Sequence, residues 1–188
     1  MLAFIGILVM TIAPSRLSAA EPVDVGDSAS RKDVSLQVLD YDGIQRLIQS
    51  HRGKIVVMDA WSTSCLPCMK EFHNLVDLQK QYPDKVAAIS LSFDFEGIGK
   101  PEQQKEKVLK FLREQGAAFD NVISSEDSDT LYDKFKLASV PAVFVYGPDG
   151  QLIKRFDNES AASEVDGFSY ANVKKLVEKL ARNSSTKP

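Results

Sequence analysis

Three rhythms of apolar residues organise the chain. An unbroken apolar block fills residues 1–13 and ends at Pro14. Residues 55–61 form a near-continuous apolar run interrupted by one acid, Asp59, the pattern of a central strand covered on both faces. Residues 85–93 and 140–146 are further strand-like runs, the second with a proline near its start. Between these runs, apolar residues recur at intervals of three and four, which predicts amphipathic helices.

Taken in order, residues 34–39 alternate apolar and polar and predict a half-buried strand. Asp42 and Gly43 open a helix carrying Ile44, Leu47 and Ile48, and Gly53 closes it. The helix after Cys68 sets Phe72, Leu75, Val76 and Gln79 on one face and runs to Tyr82, where Pro83 stops it. Pro101 starts a helix with a core face of Val108, Phe111 and Leu112, capped by Gly116. A short strand is expected at 119–124, then a brief helix capped by Ser128 through Leu131 and Phe135. Gly147-Pro148-Asp149-Gly150 reads as a hairpin turn into residues 151–156. Ser169 caps a last helix with Val173, Leu176, Val177 and Leu180 on one face. Strands alternating with helices, then a hairpin and helix, predict an α/β domain with a mixed sheet flanked by helices.

The leading block changes the picture of where the chain works. It is shorter than the ~20 residues a membrane-spanning helix needs, and Ser18-Ala19-Ala20 follows it with small residues suited to signal-peptidase cleavage. No Lys or Arg precedes the block. Residues 1–20 are therefore expected to be a cleaved signal peptide, 21–33 a leader arm, 34–182 the folded domain and 183–188 a flexible tail. An extracytoplasmic, periplasmic protein with no stable membrane span after cleavage is the expectation.

Composition narrows the function class. The formal charge is −3, from 23 basic and 26 acidic side chains. Loss of residues 1–20 removes Arg16 and no acid, which leaves −4. Nothing here favours nucleic acid as a partner. The chain has 2 cysteines, too few for a disulfide scaffold, so any disulfide is local chemistry.

Both cysteines fall in Cys65-Leu66-Pro67-Cys68, directly after the 55–61 strand and at the start of a helix. A helix N-terminus offers free N–H groups and the positive end of the dipole, both of which stabilise a thiolate. Cys65, at the extreme end, is the better nucleophile and the more exposed sulfur. Cys68, one turn in, is placed to resolve a mixed disulfide. Pro67 is tolerated because first-turn N–H groups have no intrahelical acceptor to lose. A structural zinc would need four ligands, and only His51 and His73 supplement the cysteines, so no metal site is expected. An inert disulfide stays open on spacing alone. Asp59 is costly to bury unless it has a partner or a task, and desolvation would make it a proton acceptor for Cys68. Glu71, three residues past Cys68, is a second acid–base candidate.

Asp59-Ala60-Trp61-Ser62-Thr63-Ser64-Cys65-Leu66-Pro67-Cys68 resembles the active-site segment of thioredoxins. The continuation Met69-Lys70-Glu71-Phe72 resembles the TlpA/ResA-like branch of exported thioredoxin-fold oxidoreductases, and Glu71 matches that branch's active-site glutamate. Val140-Pro141 resembles the family's cis-proline, which faces the dithiol while its neighbour pairs with substrate; without the resemblance, Pro141 is simply the first residue of a strand. The helix-bearing segment between Phe93 and Ser124 also resembles this branch, inserted between the active-site helix and the cis-proline strand. The resemblance covers residues 34–182. It implies a thioredoxin-like fold and thiol–disulfide oxidoreductase activity through a redox-active Cys65–Cys68 disulfide, with no other cofactor. Val140, Pro141 and Trp61 are the implied substrate contacts, although Trp61 alone reads as core packing. Implied partners are disulfide- or dithiol-containing client proteins and a membrane or periplasmic electron donor, with cytochrome c biogenesis as one setting.

Two departures alter the partner surface. Ser64 stands where a tryptophan usually precedes the first cysteine, and His73 stands where the branch often has a proline. Proline before the resolving cysteine resembles reducing members, so reduction of exported proteins is the expected direction. The alternatives are an oxidase of the same fold, a peroxiredoxin-like peroxidase, or a non-catalytic binding module. The peroxidase reading suffers because Thr63 is only two residues before Cys65 where a Thr-x-x spacing is wanted.

Overall fold

The computed structural model of the chain describes residues 33–158 and 169–183. The expected signal peptide, almost all of the expected leader arm, and residues 184–188 of the expected tail lie outside the described residues. Six strands form one sheet in the order β1-β4-β3-β2-β5-β6. They are β1 (Gln37–Leu39), β2 (Ile55–Trp61), β3 (Val86–Ser92), β4 (Asp120–Ser124), β5 (Ala142–Tyr146) and β6 (Leu152–Asp157). The β1–β4, β4–β3 and β3–β2 pairs are parallel, whereas β2–β5 and β5–β6 are antiparallel, which makes the sheet mixed.

β2 and β3 are buried along their whole length. Side-chain alternation in β2 divides the core in two. Ile55, Val57 and Trp61 face a layer made by α2 (Leu66–Glu71), α3 (His73–Gln81), α4 (Lys105–Gln115) and α6 (Tyr170–Asn183). Val56, Met58 and Ala60 face α1 (Tyr41–Ser50) and α5 (Ser128–Phe135). The expected helix faces are the buried ones: Ile44 and Ile48, then Val108, Phe111 and Leu112, then Val173 and Val177. Burial of such stripes contributes roughly 1.5–3 kcal/mol per large apolar side chain.

Several boundaries move, for local reasons. β1 is three residues rather than six, because only Gln37–Leu39 find partners on β4. α1 begins at Tyr41, since the Asp40 carboxylate accepts the Gly43 N–H at 2.7 Å and caps the helix ahead of Asp42. α5 is capped by Asp127 rather than Ser128: its Oδ1 accepts the Thr130 N–H at 2.9 Å. The helix after the cysteines is two segments joined at Phe72, where the Leu75 N–H bonds the Phe72 carbonyl. Pro101–Gln104 forms a 3-10 turn ahead of α4. Gly116 ends α4 at φ 65°, a left-handed conformation that suits glycine, and donates to the Arg113 and Leu112 carbonyls. Asn183 belongs to the last turn of α6 rather than to a tail.

Candidate active site

The polar turn 62–64 leaves β2 and delivers Cys65 to α2. It is fixed from two sides. Ser62 and Ser64 share a hydroxyl–hydroxyl hydrogen bond of 2.6 Å, and the Cys65 N–H donates to the Ser62 carbonyl at 3.1 Å. Beneath the turn sits Asp94, just past β3. Its carboxylate accepts the Thr63 N–H at 3.1 Å on both oxygens, the Ser92 hydroxyl at 2.7 Å and the Thr63 hydroxyl. Lys107 of α4 approaches the same carboxylate at 3.3 Å, which makes Asp94 a buried tie between the turn, β3 and α4.

Cys65 is the N-cap residue of α2, and Cys68 lies one turn in. The two are joined as a disulfide, with Cα atoms 5.3 Å apart. Cys68 is buried and Cys65 half-buried, as expected for the two positions. The Cys68 N–H donates to Cys65 Sγ at 3.3 Å, so a first-turn amide already points at the outer sulfur. On the other side, Cys65 Sγ lies 3.8 Å from the Val140 carbonyl oxygen, and the Val140–Pro141 peptide bond is cis, as the resemblance implied. Dithiol and proline strand, 75 residues apart in sequence, thus meet.

A groove of about 830 Å³ opens beside Cys65, with Leu66, Val140, Phe93, Tyr132, Glu96 and Asp129 among the residues lining it. Leu66 is 71% exposed and overhangs this groove. Ser64, which takes the place of a tryptophan, is also on the groove wall and leaves it open there. A second cleft of about 540 Å³ lies on the far side of Pro67 and Pro141, lined also by Glu71, Asn74, Tyr170 and Lys174.

Asp59 is 2% exposed, on the same face of β2 as Trp61 and under the α2/α6 layer. Its Oδ2 accepts the Tyr170 hydroxyl, while Oδ1 has no hydrogen-bond partner among the described residues. Burial raises its pKa from 3.8 to about 7, against the lowering effect of the Tyr170 hydrogen bond. Burial first, and then the neighbouring Asp59 and Glu71 charges, push Tyr170 well above its ordinary value, which keeps it a hydrogen-bond donor. Glu71 sits in the second cleft, with Oε2 accepting the Asn74 amide at 2.9 Å.

Trp61 corrects an expectation. It is fully buried, with ring centroids 5.0 Å from Phe72 and 4.8 Å from Phe111, and it lines neither cleft. It is an anchor under the dithiol helix, not a surface for substrate. The two histidines stand apart from the cysteines: His51 pairs with Asp120 at 2.7 Å, and His73 Nδ1 contacts the Lys70 carbonyl at 2.9 Å. No metal-binding group of three or more His, Cys, Asp or Glu occurs among the described residues.

Two site residues escaped the sequence reading, Asp94 and Tyr170. Asp94 follows a strand and looks like an ordinary solvated acid. Tyr170 did leave a trace: it shares the face of Val173 and Val177, and a tyrosine on a buried face needs a partner for its hydroxyl.

The family model described as Thioredoxin-like matches residues 53–152. The chain is 26% identical over 130 residues to the thioredoxin-like protein YneN of Bacillus subtilis, covering 69% of this chain and 71% of that one. It is 24% identical over 132 residues to the thiol-disulfide oxidoreductase ResA of Bacillus anthracis, covering 70% of each. Among solved structures, its fold is similar to that of a secreted Mycobacterium tuberculosis disulfide oxidoreductase homologous to E. coli DsbE. That match has a TM-score of 0.51 and 18% identity, covering 71% of this chain and 85% of the other. A thiol:disulfide interchange protein of the thioredoxin family from Chlorobium tepidum gives a TM-score of 0.50 and 17% identity, covering 70% and 83%.

Proposed function

The chain belongs to the thioredoxin-like family and is a thiol–disulfide oxidoreductase, and we propose that it reduces disulfides of exported proteins outside the cytoplasm. The observation that carries this reading is the placement of the Cys65–Cys68 pair: an N-cap sulfur at a groove, a buried sulfur behind it, and a peptide edge at Val140 alongside. The location is supported by the apolar block 1–13 followed by Ser18-Ala19-Ala20. The direction is supported by Pro67 before the inner cysteine.

The reaction balances as two exchanges. In the reduced enzyme the Cys65 thiolate attacks one sulfur of a client disulfide; the client S–S bond breaks, and its released sulfur takes up a proton. The Cys68 N–H that points at Cys65 favours that sulfur's ionised form. Asp59 then accepts the Cys68 thiol proton, for which a carboxylate titrating near 7 is suited. The Cys68 thiolate attacks Cys65, closing the enzyme disulfide and expelling the second client thiolate. Two electrons have passed to the client, and an extracytoplasmic dithiol donor returns the enzyme to its reduced form. The Val140 backbone supplies an edge for the client chain, Pro141 shapes it, and Glu71 is a second proton acceptor on the far side.

Two measurements test this. Reduction of insulin disulfides, with dithiothreitol as donor, is expected to vanish in Cys65→Ser, and full activity in that variant would end the proposal. Equilibration with glutathione is expected to place the couple well below the strong oxidases; a potential near −120 mV would make the protein an oxidase instead.

A further inference from the structure

Asp59 presents a problem of orientation. It is sealed beneath the dithiol layer, so its carboxylate can be aimed at a reacting thiol only by the side chains packed around it. Its neighbours in the sheet do not orient it: Ser90, opposite on β3, donates its hydroxyl to Asn121, and Val143, opposite on β5, is apolar. Among the described residues, the side chain that hydrogen-bonds the carboxylate is the buried Tyr170, at the start of α6. α6 is held by Val173 and Val177 in the core, so the hydroxyl is fixed in place. The charged groups on the cleft side are Glu71 from α2 and Lys174 from α6. The carboxylate uses only Oδ2 for Tyr170, and Oδ1 takes no hydrogen bond from the described residues.

We propose that Tyr170 is a positioning residue of the resolving step: it holds Asp59 by one carboxylate oxygen and leaves the other for the Cys68 thiol. The inference rests on the reading of Cys68 as the resolving cysteine and Asp59 as its proton acceptor. The proton leaves Cys68 Sγ for Asp59. No electron moves in this transfer, and the Tyr170 hydroxyl keeps its own proton throughout.

The test is the pH profile of client release from the mixed disulfide, followed in single turnovers of the reduced protein with a disulfide peptide. Tyr170→Phe keeps the ring and removes the hydroxyl. Without that donor Asp59 holds its proton more tightly, so the profile is expected to move to higher pH by about one unit. That is a fall of roughly tenfold at pH 6 to 7, recovered by pH 9. The preceding attack by Cys65 serves as the internal control and is expected to keep its rate. In an Asp59→Asn background, Tyr170→Phe is expected to produce no further shift. Substitution of 3-fluorotyrosine at 170, a stronger donor of the same shape, is expected to move the profile the other way. A Tyr170→Phe profile that coincides with the parent, or falls by the same factor at every pH, would overturn the inference; so would a fluorotyrosine profile that does not move. Either result, with Cys65→Ser still inactive, would leave the oxidoreductase reading standing.

Discussion

Asp59→Asn is expected to gain stability relative to the parent as pH rises. The folded-state pKa of Asp59 is raised from 3.8 to about 7, chiefly by burial. Between these values the native protein retains a proton that the unfolded chain has released. Unfolding free energy therefore falls as pH increases from about 4 and levels off above about 7. At ~1.36 kcal/mol per pH unit, this fall comes to about 4 kcal/mol in total, of which about 3 kcal/mol lies between pH 5 and 8. Asparagine has the same shape and does not titrate, so it escapes this loss. Its amide replaces Oδ1, which takes no hydrogen bond from the described residues, and leaves a buried donor at a cost of roughly 1–3 kcal/mol, but that cost does not change with pH. The slope, not the offset, is the diagnostic. Urea unfolding of the oxidised parent and of Asp59→Asn at pH 5, 6, 7 and 8 should show the difference shifting toward the variant by about 3 kcal/mol across the series. A difference that stays constant within ~0.5 kcal/mol would show that Asp59 is already ionised at pH 5, and the burial argument would fail with it.

Other consequences follow from the packing around the dithiol. Phe72→Ala removes a fully buried ring that contacts Trp61, Phe111 and Phe119 at the α2–α3 joint, and should cost ~3–5 kcal/mol, read as a lower guanidinium midpoint at unchanged slope. Asp94→Ala strands the Thr63 N–H and the Thr63 and Ser92 hydroxyls; a loss of ~2–4 kcal/mol is expected, with a slower reaction of Cys65 with iodoacetamide or its clients as the turn loosens. An Asp94→Ala protein as stable as the parent would show that the turn is held by Ser62 and Ser64 alone.

The strong signals in the sequence were those with short range. The 55–61 run, bounded by Gly53 and a polar turn, became β2 residue for residue, because seven apolar-dominated positions can be buried on both faces only in the middle of a sheet. Cys65 and Cys68 were legible because helix geometry alone separates an outer from an inner sulfur. The buried acid was legible too, since a carboxylate inside such a run stands out. Its partner was not: Tyr170 lies 111 residues away, and the periodicity of α6 specifies a buried face without saying which group it meets. Asp94 was missed because an acid after a strand is ordinarily solvated, and only the fold brings Thr63 and Ser92 around it. Cap assignments slipped by one or two residues where two capping side chains stood close together, as with Asp127 and Ser128. Trp61 shows the limit of resemblance: a residue beside the motif in sequence points into the core when strand alternation sends it there.

The division of labour between the two sulfurs is tested most directly by trapping the intermediate. Reduced Cys68→Ala protein, mixed with a disulfide-containing client and digested without reductant, should yield one mixed disulfide, joined at Cys65 and stable because no inner thiol can displace the client. Cys65→Ser, treated identically, should yield none. Client attached to Cys68 in Cys65→Ser, or no adduct at Cys65 in Cys68→Ala, would contradict the account at its centre.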